Sequence, residues 1–119
     1  VSTPGRSLAN NARGRWGEDV TARWYQQRGF EVLARNWRSA AGEIDLIVAG
    51  HGMLVFCEVK TRASASFGIG AEAVTHVKQV RIRRLAAEWM AQQAQRWPQV
   101  RYDVASITGV RIEVLEDAF

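Results

Sequence analysis

Apolar and polar positions alternate along this chain in two different periods, and the switches between them mark the elements. Over residues 13–28 there is no proline, and Trp16, Val20 and Trp24 recur every fourth residue, as on a helix. Glu18, Ala22 and Tyr25 form a second stripe on the same helix, so periodicity leaves two faces competing for the core. Gly29 is placed to end the helix. Phe30, Val32 and Ala34 then alternate with polar neighbours and predict a strand. After a turn over 39–42, residues 43–48 and 54–62 read as two more strands. Ala49-Gly50-His51-Gly52 joins them, and two glycines in so short a connection predict a hairpin. Residues 63–70 read as a loop containing Phe67, which is expected to anchor in the core or to wedge between bases. A second helix is expected over 75–95, halted by Pro98. Residues 100–107 and 110–115 complete the pattern as strands around a Thr108-Gly109 turn. The order α-β-β-β-α-β-β predicts an α/β domain on a mixed central sheet flanked by helices. It spans residues 13–119, preceded by a flexible arm over 1–12.

Strand geometry brings the chemistry forward. Side chains alternate across a strand, so Glu43, Asp45 and Ile47 are expected on one face and Ile44, Leu46 and Val48 on the other. In the next strand Leu54, Phe56, Glu58, Lys60 and Arg62 share a face opposite Val55, Cys57, Val59 and Thr61. A short hairpin sets Asp45 within a residue or two of Glu58, and a one-residue slip would separate them by face. The expected result is a cluster of Asp45, Glu58 and Lys60, with Glu43 alongside. Close carboxylates repel, and a hard divalent cation such as Mg²⁺ or Mn²⁺ relieves that repulsion through oxygen ligands. A solvated hairpin face with ordinary ion pairs is the bland alternative; Leu54 and Phe56, which turn the same face toward the core, weigh against it.

Composition sharpens this picture in two places. Of 119 residues, 47% are hydrophobic, enough for one globular core and too many for a disordered tail. The net charge of +4 and a pI of about 10.0 permit binding to nucleic acid without requiring it. Lys60 and Lys78 are the only lysines among 16 basic residues, so this arginine-using chain keeps a compact ammonium at just two places. Lys78 begins the apolar arc of the second helix, Val74, Ile82, Leu85, Ala86 and Trp89; it either snorkels past the core edge or points at a phosphate near the carboxylates. Arg35, Arg38 and Arg62 flank the cluster and are candidates for positioning a nucleic-acid backbone. Arg81, Arg84 and Glu88 read as a solvated flank, and Asp103 as a partner of Arg101. A single cysteine, Cys57, excludes an internal disulfide, and no Cys/His spacing suggests zinc. No apolar run reaches the roughly 20 residues of a membrane span, and the first 15 residues lack the apolar centre of a signal peptide. A cytoplasmic location is the default expectation.

Gly42-Glu43-Ile44-Asp45-Leu46-Ile47 followed by Val55-Phe56-Cys57-Glu58-Val59-Lys60-Thr61-Arg62 resembles the YraN-type family of predicted bacterial endonucleases. That family falls in the restriction-endonuclease-like superfamily and is similar to archaeal Holliday-junction resolvases. The resemblance extends to Gly14, Gly17-Glu18, Ala22, Arg35-Asn36-Trp37-Arg38, Phe67-Gly68, Ala73-Val74, Lys78, Tyr102-Asp103-Val104 and Ala118-Phe119. Ile44 departs from the proline that the superfamily's name implies. The resemblance implies a restriction-endonuclease-like core in which Asp45, Glu58 and the backbone carbonyl of Val59 bind Mg²⁺ or Mn²⁺. By the same resemblance Lys60 is the catalytic lysine and Glu18 completes the acidic set. DNA, branched or otherwise structured, is the implied substrate, and a two-fold dimer would suit symmetric cleavage. A nucleic-acid-binding module without cleavage is the rival expectation, and a protein-interaction scaffold a second.

Overall fold

Residues 42–62 show most directly how the sequence builds the sheet. His51 and Gly52 both adopt positive φ, 56° and 76°, which is the two-residue turn whose twist matches that of paired strands. It joins β2 (Gly42–Gly50) to β3 (Met53–Arg62) with Gly50 opposite Met53 and Leu46 opposite Cys57. The turn is tighter than the four-residue connection expected. The structure, a computed structural model, describes residues 8–62 and 74–119. The loop expected over 63–70, including Phe67, lies outside the described residues, as do residues 1–7 of the arm.

Around that hairpin stand α1 (Leu8–Gln27), β1 (Glu31–Ser39), α2 (His76–Ala91), β4 (Gln99–Thr108) and β5 (Arg111–Leu115). The five strands lie in the order β1-β2-β3-β4-β5. Only the β3–β4 pair is parallel, and a parallel neighbour requires a long crossover, which carries α2. The sheet is therefore mixed and has a helix on each face, the expected α/β arrangement. Helix α1 begins at Leu8, so residues 8–12 of the expected arm are helical. Helix α2 ends at Ala91, capped at Gln92, short of the expected 95, because Trp97 turns back to pack on Trp89 with ring centroids 5.8 Å apart.

Each face has its own core. Ala22 and Tyr25 of α1 pack on Leu46, Val48, Val55, Cys57, Ala105 and Ile107. Leu85, Ala86 and Trp89 of α2 pack on Ile44, Ile47, Leu54 and Phe56. The competition on α1 is thus resolved in favour of the Glu18–Ala22–Tyr25 stripe, while Trp16 is left 39% exposed. Tyr25 anchors this face: its hydroxyl donates to Asp103 Oδ2 at 2.6 Å, and Arg101 donates to both oxygens of the same carboxylate. Asp103 is fully buried, so those donors, with the Asp117 N–H at 3.0 Å, are what make its burial tolerable.

Alternation holds in β3 and breaks in β2. Ile44 packs with Ile47 and α2, not with Leu46 and Val48 as a strict two-residue period requires. The neighbouring strand is irregular at the same level. Arg35 pairs with Leu46 and Trp37 with Ile44, and between them Asn36 turns left-handed, with φ of 51°. The β2–β3 ladder ends at Leu46–Cys57, so Asp45 sits at the frayed end of the hairpin, free of the regular pleat.

Candidate active site

Helix α1 crosses β3 where neither carries bulk. A Cβ built on Gly17 would collide with the Thr61 hydroxyl, so only glycine lets the helix backbone come this close. The next residue, Glu18, is consequently pressed into the sheet edge and is only 9% exposed. Its Oε1 accepts a hydrogen bond from Asn36 Nδ2 at 2.9 Å. Beside it opens a cleft of about 320 Å³ lined by Gly14, Arg15, Glu18, Asn36, Glu43, Asp45, Glu58, Val59 and Thr61.

Asp45 and Glu58 both line this cleft, and each feels the other's charge. Burial, then the charge of Glu58, pushes the Asp45 carboxyl up to about 8, against the pull of the Val59 N–H, which donates to Asp45 Oδ2 at 2.8 Å. The N–H and carbonyl of a strand residue point toward the same neighbour, so the Val59 carbonyl borders this end of the hairpin too. Glu58 faces the other way as well: its Oε1 lies 3.0 Å from Lys78 Nζ and 3.9 Å from Lys60 Nζ. Lys60 is lowered from its ordinary value by burial and by the neighbouring Lys78 ammonium. Burial also pulls Lys78 down, but its contacts with Lys60 and with the Glu58 carboxylate outweigh that and hold it above its ordinary value.

The structure therefore brings Glu18, Asp45, Glu58, Val59, Lys60 and Lys78 into one neighbourhood. Lys78 neither snorkels away nor stands free; it is the ammonium nearest Glu58. Arg35 and Arg38 are more committed than their positions suggested. Arg35 lies 2.6 Å from Asp19 and 3.9 Å from Glu18, and Arg38 lies 2.6 Å from Glu43. Arg62 closes β3 one residue past Thr61 and is partly buried. Glu88, expected on a solvated flank, accepts from Ser39 Oγ at 2.7 Å and ties α2 to the β1–β2 turn. Sequence reasoning gave no role to Asn36, Gly17 or Arg15; the Arg35–Arg38 motif drew the eye to its charges instead of its amide.

A cation's fit can be judged from the donors. They are carboxylate and carbonyl oxygens, the set preferred by Mg²⁺ or Mn²⁺, and burial and the nearby Glu58 charge disfavour the ionised form of Asp45. Among the described residues, however, no three His, Cys, Asp or Glu side chains already enclose a metal position. Asp45 leans on the Val59 N–H, Glu18 on Asn36, and Glu58 on Lys78. The oxygens fit in kind and are not gathered around one position.

The sequence profile of the Uncharacterised protein family UPF0102 matches residues 17–107. The chain is 48% identical over 115 residues to a UPF0102 protein of Rhodococcus opacus (strain B4), covering 92% of this chain and 98% of that one. It is 51% identical over 112 residues to a UPF0102 protein of Parafrankia sp. (strain EAN1pec), covering 89% and 94%. The matched segment contains Glu18, Asn36, Asp45, Glu58, Lys60 and Lys78. No described helix is long and apolar enough to cross a membrane.

Proposed function

The chain belongs to the uncharacterised protein family UPF0102, and from that starting point we propose that it is a metal-dependent endonuclease of the restriction-endonuclease-like kind, acting on DNA. One observation carries the reading: two half-buried carboxylates, Asp45 and Glu58, line one cleft beside Lys60, with one of them forced toward its protonated form. A protein gains no stability from such an arrangement; a site that receives a cation does.

Asp45, Glu58 and the Val59 carbonyl would hold Mg²⁺ or Mn²⁺, and Glu18 would complete the acidic set. The cation supplies a Lewis acid that polarises the phosphodiester and lowers the pKa of an attacking water. Lys60, on the same strand face as Glu58, orients that water or stabilises the charge developing on phosphorus. Lys78 holds Glu58 and offers a second positive charge toward phosphate. Arg35 beside Glu18, Arg38 beside Glu43 with 71% of its side chain exposed, and Arg62 at the end of β3 would serve as backbone contacts. A branched substrate and a two-fold dimer follow from the resemblance to resolvases and belong to this proposal alone.

A second reading has its own observation. Glu58 already has an ammonium at 3.0 Å, and the three acids are not converged, as suits a module that binds nucleic acid without cutting it. Linear, single-stranded and four-way-junction DNA incubated with Mn²⁺ or with chelator separates the two. Cleavage that needs Mn²⁺ and disappears in Asp45→Ala and Lys60→Ala supports the enzyme. Salt-sensitive binding without cleavage supports the module, and neither outcome leaves the nuclease reading standing on its geometry alone.

A further inference from the structure

Asn36 combines two properties that few residues can supply together. Its backbone is left-handed, φ 51°, a conformation that costs most L-residues roughly 1–2 kcal/mol and that asparagine adopts readily. Its side chain enters the cleft and donates to Glu18 Oε1 at 2.9 Å. Glutamine has the same amide but not the same tolerance of this backbone; glycine has the tolerance without the amide. The left-handed residue also lies opposite Asp45, between the Arg35–Leu46 and Trp37–Ile44 pairs. One residue thus bears on two of the acids at once.

The donor's neutrality matters as much as its position. Among the described residues the cation nearest Glu18 is Arg35, but it stands 3.9 Å away and is held by Asp19 at 2.6 Å. The close contact to Glu18 is therefore an uncharged one. A cation at that distance would neutralise the carboxylate; an amide orients it and leaves its charge available.

We propose that Asn36 is a positioning residue, which fixes the Glu18 carboxylate toward the Asp45–Glu58 pair while leaving its negative charge free for the bound cation. This rests on the nuclease reading above. Hydrogen-bond partners of metal ligands typically change metal affinity or activity by about 10–100-fold when removed, and that is the size of effect expected here.

The experiment compares the parent protein with Asn36→Gly, Asn36→Asp, Glu18→Gln and the Asn36→Gly/Glu18→Gln double variant. Mn²⁺ affinity is measured by titration calorimetry, and junction-DNA cleavage is resolved into kcat and KM. Asn36→Gly keeps the backbone conformation and is expected to unfold near the parental temperature, to bind Mn²⁺ about 10–100-fold more weakly and to lose kcat by a similar factor, with KM for DNA nearly unchanged. The double variant should be no worse than Glu18→Gln, since both changes act on one carboxylate. Asn36→Asp retains shape and backbone but removes the donor, and should lose kcat too; it serves as the check if the glycine variant is poorly folded. Parental kcat and Mn²⁺ affinity in Asn36→Gly or parental kcat in Asn36→Asp, or losses that multiply in the double variant, overturn the assignment while the nuclease reading survives. A parent that neither binds Mn²⁺ nor cleaves overturns both.

Discussion

Replacing Asp45 with asparagine should make the metal-free protein more stable, and the gain should grow with pH. Asparagine keeps an oxygen to accept the Val59 N–H and removes the charge. In the unfolded chain Asp45 loses its proton near 3.8, whereas in the fold it keeps it until about 8, because of burial first and Glu58 second. Between those values the native state binds more protons than the unfolded state, so stability falls as pH rises. Below both values Asp45 contributes nothing to this slope; above both, the full cost is present. A gap of about four pH units at ~1.4 kcal/mol each sets a ceiling of roughly 6 kcal/mol. The Lys60 and Lys78 ammonium groups near Glu58 absorb part of the repulsion, and we expect about 2–3 kcal/mol at pH 9. For a domain of this length that is roughly a 10 °C rise in Tm. Thermal and urea unfolding in chelator, at intervals from pH 5 to pH 9, measures it. Added Mn²⁺ should raise the parental Tm and leave Asp45→Asn unmoved. An Asp45→Asn protein that is less stable than the parent at pH 9, or whose difference from it does not change with pH, would refute the account of this site.

Other changes test other contacts. Lys60→Met should lower kcat for Mn²⁺-dependent cleavage by about 100-fold or more with DNA affinity nearly intact, read by single-turnover kinetics and by gel shift; an unchanged kcat removes Lys60 from the chemistry. Tyr25→Phe should cost about 2 kcal/mol by urea unfolding, for a lost hydrogen bond to a charged acceptor. Asp103→Ala should cost about 3–5 kcal/mol, since it strips the Arg101 guanidinium, only 16% exposed, of its two closest acceptor oxygens and leaves it Glu116 at 3.5 Å. Gly17→Ala should cost about 1–3 kcal/mol by forcing α1 off β3, and adding Thr61→Ala should restore part of it; if the second change restores nothing, the helix approach is limited elsewhere.

The regular parts of the fold could be read from residue types, and the informative parts of the site could not. Leu54, Val55, Phe56 and Cys57 announce a strand buried on both faces, and their alternation assigned Glu58 and Lys60 correctly to one side. The same reasoning failed in β2, where Asp45 lies opposite the left-handed Asn36 of another strand, and a period counted along one segment contains no information about its neighbour. On α1 two stripes had equal periodicity. What decided between them was Gly17 fitting against Thr61 and Tyr25 reaching Asp103, a contact across 78 positions. Lys78 was conspicuous as one of two lysines, but its tie to Glu58 depends on how α2 is carried over the sheet after β3. Long-range pairings of this kind leave no local trace.

The parallel strand at the heart of the sheet also governs how the chain is made. Gln99 pairs with Met53 and Thr108 with Arg62, so the border of β3 that β4 covers stays open until the ribosome has passed residue 108. During that interval its greasy stretch, with Leu54 through Cys57 destined for almost complete concealment, is an inviting template for a stray strand from a neighbouring nascent chain. Synthesis halted before residue 99 should therefore yield clumped material, and the hazard ends when β4 slots in between β3 and β5.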